Sequence, residues 1–349
     1  MINNTRMGHF GVYYSRVMFI MGLINIRLLN MNIINKIPNI RKEILTKVVL
    51  NALENNYSAL GPTWVKYQMD WLNDIYGSFN NLDKFLIIIY LFKNKLDFYS
   101  KNFIKLTYDE CYEANVVEIA EFNVSEISKA LNIPKESARR NIIELEGAGV
   151  ISRTKKKIII DRSSYRFIRP ENTIKRVARF ISSLSRSCFE DKILPKEITS
   201  EQIELVIKEN FSYIWKIYYE MQIPMMLAYK KIFKDLETFH IFGTCVVSQH
   251  LHSQRENKNK MSRDHFLKFM SSNNVQGINA MSVSDITGIP RATVIRKLQK
   301  LVKNKYLVIN DKKLYKLAGI NINLNKNQKI ILNHLANFST KIINYAAHY

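Results

Sequence analysis

Two sets of cationic and polar side chains, 156 residues apart, carry the most specific chemistry in this chain. The first is Lys135, Ser137, Arg139, Arg140 and Asn141. The second is Arg291, Thr293, Arg296 and Lys297. Guanidinium and ammonium groups pair with phosphate oxygens. At base edges, Arg and Lys suit guanine and Asn suits adenine. Each set is followed by a basic tip, Thr154-Lys155-Lys156-Lys157 in the first case and Asp311-Lys312-Lys313 in the second. The chemistry implied is non-covalent recognition of a polyanion, with phosphates held beside the bases that are read.

Such side chains need a helix to space them and a core to orient that helix. The stretch Asn123 to Leu145 supplies both, and adding 156 to each number gives a second copy, Asn279 to Leu301, without a gap. Ile127 and Val283 are the inward residues of a short first helix. Ser128 and Ser284 follow, small enough for a second helix to cross closely. Asn132 and Gly288 stand at the turn, where both residue types tolerate a left-handed backbone. Ile133 and Ile289 plug the core beneath it. Pro134 and Pro290 open the next helix, where a missing N–H costs nothing. Ala138, Ile142 and Leu145 then recur at helical spacing, as do Val294, Leu298 and Leu301, so one face is buried and the polar set faces out.

A hairpin is expected after each helix. Gly149–Arg153 and Ile158–Asp161 flank the first tip, and Tyr306–Asn310 and Leu314–Leu317 flank the second. A helix-turn-helix followed by a hairpin is a winged helix. Both segments, about 105–165 and 262–320, resemble winged helix-turn-helix DNA-binding domains of the kind found in prokaryotic regulators such as the MarR and IclR families. The resemblance implies double-stranded DNA as partner. Recognition helices 135–145 and 291–301 would enter major grooves, and the wing residues Lys155, Lys156, Lys157, Lys312 and Lys313 would lie on the backbone.

The charge balance agrees with a polyanionic partner. Among 349 residues, 52 Lys and Arg stand against 30 Asp and Glu, a formal net charge of +22. That favours nucleic acid over a membrane surface. Enrichment in Asn, Ile and Lys is also what AT-rich coding DNA produces. Cys111, Cys188 and Cys245 are too widely spaced for a disulfide framework or a zinc ribbon. A reducing cytoplasm, with the protein on the nucleoid, is the expected setting. The apolar run Val17–Ile34 is broken by Asn25, Arg27, Asn30 and Asn32, which argues against a membrane span. Residues 1–37 read as an extension, either disordered or the product of a start placed too early, with Met18, Met21 and Met31 as alternatives.

Beyond Pro38 the period is helical. The expected fold is mostly α with small β-hairpin wings: two tandem winged helices with helical flanks, arising from an internal duplication. Helices are expected over Ile40–Asn55, broken by Gly61-Pro62, and over Trp64–Tyr76 and Leu82–Lys95. Tyr108–Glu121 leads into the first winged helix, and Asn172 caps a helix to about Ser187. Trp64, Tyr67 and Met69 are loosely echoed by Trp215, Tyr218 and Met221. The halves are 38–190 and 191–349, joined near Pro195, with Ser253–Lys260 as a loop.

Other groupings read as structural. His240, Cys245, His250 and His252 are close in sequence, but His-x-His does not place both rings on one helix face, and no metal or cofactor is expected. Phe211, Trp215, Tyr218, Met221, Met225 and their neighbours are read as packing between the halves rather than an effector pocket. The stripe Ile331, Leu335, Phe338, Ile342 and Tyr345 would either pair two chains or cover its own half. No phosphate loop, nucleophile elbow or His/carboxylate motif occurs, so no enzymatic activity is expected. The reading is a sequence-specific transcription regulator whose two winged helices act as a pseudo-dimer in one chain. Its rivals are a plasmid-type replication initiator, also built from tandem winged helices, and a scaffolding protein that does not bind DNA.

Overall fold

The computed structural model describes residues 43–120, 123–154, 157–164, 169–256, 260–272, 276–319 and 322–347. The apolar run Val17–Ile34 and the extension 1–37 lie outside them. The first helix, α1 (Thr46–Asn55), buries Val49, Ala52 and Leu53 along one face. It stops at Asn56, whose side-chain amide donates to Ala52 O at 3.0 Å. Gly61-Pro62 is therefore not the break. Both residues lie inside α2 (Tyr57–Phe79), whose buried face starts at Tyr57 and carries the helix past the one N–H that Pro62 cannot donate.

Asn80 turns left-handed at φ 50°, and the Asn81 side chain then accepts from the Asp83 and Lys84 N–H groups to cap α3 (Leu82–Lys101). A Thr107/Glu110 capping box opens α4 (Tyr108–Glu113). The helical lead-in expected as far as Glu121 ends there. Val116, Val117 and Ile119 belong instead to strand β1 (Val116–Ala120), as β-branched side chains favour. Next come α5 (Val124–Leu131), α6 (Lys135–Gly147), β2 (Ile151–Arg153) and β3 (Lys157–Asp161). The three strands form an antiparallel sheet in the order β1-β3-β2, with Val117 opposite Ile160 and Ile151 opposite Ile160. Then α7 (Glu171–Glu190) closes this half of the sequence.

The elements that follow are α8 (Ser200–Glu209), α9 (Phe211–Phe233), α10 (Leu236–Glu256), α11 (Arg263–Ser272), α12 (Ala280–Thr287) and α13 (Arg291–Lys303). They end in β4 (Leu307–Ile309), β5 (Tyr315–Leu317) and α14 (Ile322–Ala347). The helix α10 runs through the first half of the segment expected as a loop, as far as Glu256. Leu307 pairs with Leu317 in a second small antiparallel sheet. The described residues are thus mostly helical with small antiparallel sheets.

Shifted by 154 residues, the spans Thr46–Asn55 and Tyr57–Phe79 become Ser200–Glu209 and Phe211–Phe233. The second helix of each pair, α2 and α9, makes matching contacts with the segment that leads into a helix of the other half, α11 or α4. Ser58 N donates to Met261 O at 3.1 Å, and Met261 N donates back to Ser58 Oγ at 2.8 Å. At the shifted position, Ser212 N donates to Leu106 O at 3.0 Å, and Leu106 N donates to Ser212 Oγ at 2.9 Å. The ring pair Tyr57–Phe266 at 5.8 Å has its counterpart in Tyr112–Phe211 at 5.6 Å. A residue i meeting j while the equivalent of j meets the equivalent of i is the signature of an isologous contact.

The core runs through this junction, and residues 44–346 form one compact unit. Trp215 is buried between Phe211 and Tyr218, with ring centroids 5.0 and 4.6 Å away, each pair worth about 0.5–1.5 kcal/mol beyond area. The hydroxyls of Tyr67 and Tyr218 meet across it, and Gln222 Nε2 donates to Tyr218 at 2.8 Å. Gly243 of α10 lies against Met69 of α2, where a Cβ would clash with the Met69 sulfur. Among the described residues, no helix is long and apolar enough to cross a membrane.

Candidate nucleic-acid interface

Two helix pairs, α5–α6 and α12–α13, hold the candidate residues, and their turns are built alike. Asn123 and Asn279 cap the first helix of each pair, accepting from Ser125 N and Ser282 N at 2.8 Å. The chain then turns left-handed at Asn132 (φ 48°) and Gly288 (φ 69°). Ser128 Oγ donates to Ile133 O, and Ser284 Oγ to Ile289 O, both at 2.7 Å. This bond crosses the turn and fixes the angle at which the second helix leaves. Ile133 and Ile289 are buried beneath it. Small serines at the crossing and isoleucine plugs are the roles the sequence assigns them.

The second helix of each pair buries one face and presents the other. Ala138, Ile142 and Leu145 face the core of α6, and Val294, Leu298 and Leu301 face that of α13. Lys135, Arg139 and Arg140 are exposed on α6, and Ser137 is half-buried. Arg291 and Arg296 are exposed on α13, and Thr293 is half-buried. Asn141 and Lys297 are not on the outward face. Asn141 is 4 % exposed and accepts from Asn81 Nδ2 at 3.3 Å. Lys297 is 8 % exposed, and its ammonium lies 2.6 Å from Asp235 and 3.3 Å from Glu237. Burial raises the Asp235 pKa, but hydrogen bonds from Lys297 and Thr238 outweigh it and hold the carboxyl below its ordinary value.

The two outward faces differ in charge. On α6 the cations alternate with acids: Arg139 lies 3.3 Å from Glu136, and Arg140 3.9 Å from Glu144. Glu144 also takes Lys84 at 2.8 Å, and that hydrogen bond holds its carboxyl below the usual range. On α13 no acid interrupts Arg291, Arg296, Lys300 and Lys303, all exposed. Lys300 and Lys303 do not figure in the sequence-based set, although they follow Arg296 at i+4 and i+7, the same period that marks the buried stripe.

The hairpin tips are unlike too. Lys312 and Lys313 are exposed at the β4–β5 turn, with Lys313 left-handed at φ 56°. Lys157 is exposed but sits on β3, 2.7 Å from Glu118 of β1, so its charge is shared with an acid. Lys155 and Lys156 lie outside the described residues. Arg153 is held by Glu146 at 2.5 and 2.6 Å, and that pairing raises its pKa.

The remaining groupings sit in the interior. His240 Nε2 is 2.6 Å from Asn73 Oδ1, and His250 packs on Phe266 with ring centroids 5.3 Å apart. Both rings are buried, which lowers their pKa to about 3 and about 4. Cys245 is buried, and its thiol is pushed up to about 12. Among the described residues, no group of His, Cys, Asp and Glu is arranged to hold a metal ion. Ile331, Leu335, Phe338 and Ile342 of α14 are buried within the chain, and the Tyr345 hydroxyl donates to Asn210 at 2.7 Å. No family model, curated protein or solved structure matches this chain.

Proposed function

We propose that this protein is a sequence-specific double-stranded DNA-binding transcription regulator with no enzymatic step. On this reading an internal duplication produced two winged helices, α5–α6 with β2–β3 and α12–α13 with β4–β5. The halves act as a pseudo-dimer within one chain, with α6 and α13 as recognition helices.

The observation that carries the proposal is the outward face of α13. Arg291, Arg296, Lys300 and Lys303 stand exposed on a helix without an acidic residue, behind a turn braced by Ser284 and Ile289. A row of cations on a rigid helix suits phosphates and guanine edges. The reciprocal Ser58 and Ser212 contacts supply a reason for two such helices in one chain, since a fixed pair reads a longer site than either alone. The net charge of +22 favours the same class of partner.

Selection of bound sequences from a random duplex pool tests this directly. The expected consensus has two unlike half-sites, with centres about 10 base pairs apart or a multiple of that spacing. Where that consensus falls in the source genome, upstream of a coding region or in repeats at an origin, separates a regulator from a replication initiator. Failure to enrich any sequence, together with binding that ignores salt, would leave the scaffolding role.

A further inference from the structure

Arg162 is a buried cation. It follows β3, is 3 % exposed, and among the described residues no carboxylate pairs with it. Its Nη2 donates to Cys111 O at 2.7 Å and to Ala114 O, and its Nε reaches Asn115 O at 3.4 Å. These carbonyls fix the guanidinium plane, with the Tyr112 ring 4.1 Å from its centre. Among the described residues Nη1 has no hydrogen-bond partner, although it is buried. The neighbouring Cys111 thiol does not supply the missing charge, because burial raises its pKa more than Arg162 lowers it, leaving it protonated at neutral pH.

A cavity of about 40 Å³ lies beside this guanidinium. Its wall is apolar: Phe85, Ile88 and Phe92 of α3, Val117 of β1, Ile160 of β3 and Tyr219 of α9. Leaving a charge buried and unpaired is strongly unfavourable, and a guanidinium with an unused donor in the lining of an apolar cavity is the arrangement that orients a ligand with one charged end. The second sheet has Ala318 at the position 156 residues on from Arg162, so the feature is peculiar to the first.

We propose that this cavity binds a small monocarboxylate with a short apolar tail. The carboxylate pairs with the Arg162 guanidinium, and the tail fills the space between α3, the β1–β3 pair and α9. The size of the cavity restricts the occupant to acids of the acetate-to-butyrate class, and the wall favours the longer of these.

Titration of the full chain with butyrate, acetate, chloride and the neutral butyramide tests the site. The readouts are the 15N guanidinium resonance of Arg162 and the thermal midpoint. Butyrate should shift the resonance saturably, more tightly than acetate, while butyramide leaves it unmoved. The midpoint should rise by about 2 °C or more at butyrate a hundredfold above its Kd. Arg162→Lys should weaken butyrate binding at least tenfold. Should that variant fold poorly, Val117→Phe fills the cavity from an edge strand and should abolish the shift while keeping the Arg162 resonance. Equal response to chloride and butyrate would reduce the site to an unselective anion hole and overturn the carboxylate assignment. No saturable response to any anion would overturn the site itself.

Discussion

Lys297 and Asp235 form a 2.6 Å ion pair at the position where the other half of the chain joins Asn141 to Asn81 at 3.3 Å. Asn81 lies 154 residues before Asp235, and Asn141 lies 156 before Lys297. Each pair ties the cap of a core helix, α3 or α10, to the middle of the exposed helix packed on it. One pair is neutral and the other is charged, yet the joint is the same. Lys297→Ala should destabilise the protein by about 1–2 kcal/mol. This is less than for a fully buried pair, because the Asp235 side chain is 42 % exposed. Installing the other half's chemistry, Lys297→Asn with Asp235→Asn, should recover part of that loss. Urea unfolding of these proteins and of the single variants Lys297→Asn and Asp235→Asn decides it, and strictly additive effects in that cycle would mean the two positions are not coupled.

Base reading should be unequal between the halves. Among the described residues no acid pairs with Arg296, whereas Arg140 lies 3.9 Å from Glu144. Arg296→Ala should weaken binding to the selected site by about 1–3 kcal/mol and relax sequence preference in one half-site. Arg140→Ala should act on the other half-site and cost less. Repeating the selection with each variant checks the assignment. Equal loss in both half-sites from either change would indicate that two chains bind with one helix each.

The salt dependence of binding should come mainly from α13 and its tip. Replacing Arg296, Lys300 and Lys303 together by Ala should flatten the slope of log affinity against log salt by up to ~2.7, since each lost phosphate contact removes about 0.9. The Lys312→Ala, Lys313→Ala double variant should remove up to ~1.8. Lys157→Ala should remove less than one contact's worth, because Glu118 already holds that ammonium. Fluorescence anisotropy across a salt series measures all three. An unchanged slope in the first variant would take α13 out of the interface.

Ile133 and Ile289 should be equally intolerant of charge. Each is at most 2 % exposed beneath a turn braced by a serine hydroxyl. An aspartate there buries an unpaired carboxylate, costing several kcal/mol, on the order of a domain's whole margin. Circular dichroism melts of Ile133→Asp and Ile289→Asp should show loss of the cooperative transition or a large fall in its midpoint. A wild-type midpoint in either variant would refute the placement of that isoleucine.

Acid should destabilise the protein through His240 and His250. Their folded pKa values, about 3 and about 4, lie below the ordinary 6.5. Between those limits the unfolded chain binds protons that the folded chain excludes. The stability contributed is therefore full above about pH 6.5 and falls as pH drops toward the folded values. The slope approaches about 1.4 kcal/mol per pH unit for each ring. His240→Leu puts in place the residue found 154 positions earlier, the buried Leu86. It should lower the slope between pH 6 and 4 even if it also lowers stability at pH 7 by stranding Asn73. Urea titrations at stepped pH would test this, and an unaltered slope would acquit His240.

How much was legible depended on the range of the forces involved. The paired helices, their turns and the hairpins that follow are decided within about twenty residues, by caps, apolar period and backbone preference. Asn132, Ile133 and Pro134 therefore state their roles in the sequence, as do Gly288, Ile289 and Pro290. The break placed at Gly61-Pro62 failed because a long buried face outweighed two poor helix formers. The strand Val116–Ala120 was hidden by its short length, although three of its five residues are β-branched.

Charge and residue type along α6 and α13 were fixed by the sequence alone, and so was the exposure of Arg139, Arg140, Arg291 and Arg296, which lie well away from the apolar stripe. Asn141 and Lys297 flank that stripe at i+3 from Ala138 and Val294, where a polar side chain turns inward only if something distant receives it. Asn81 and Asp235, about sixty residues earlier, are those receivers, and only the tertiary structure brings them near. The same holds for Arg162, which reads as one more cation in a basic chain until α3, β1 and α9 close over it. Local patterns settle which face is apolar, but which polar groups are buried depends on partners that only long-range packing supplies.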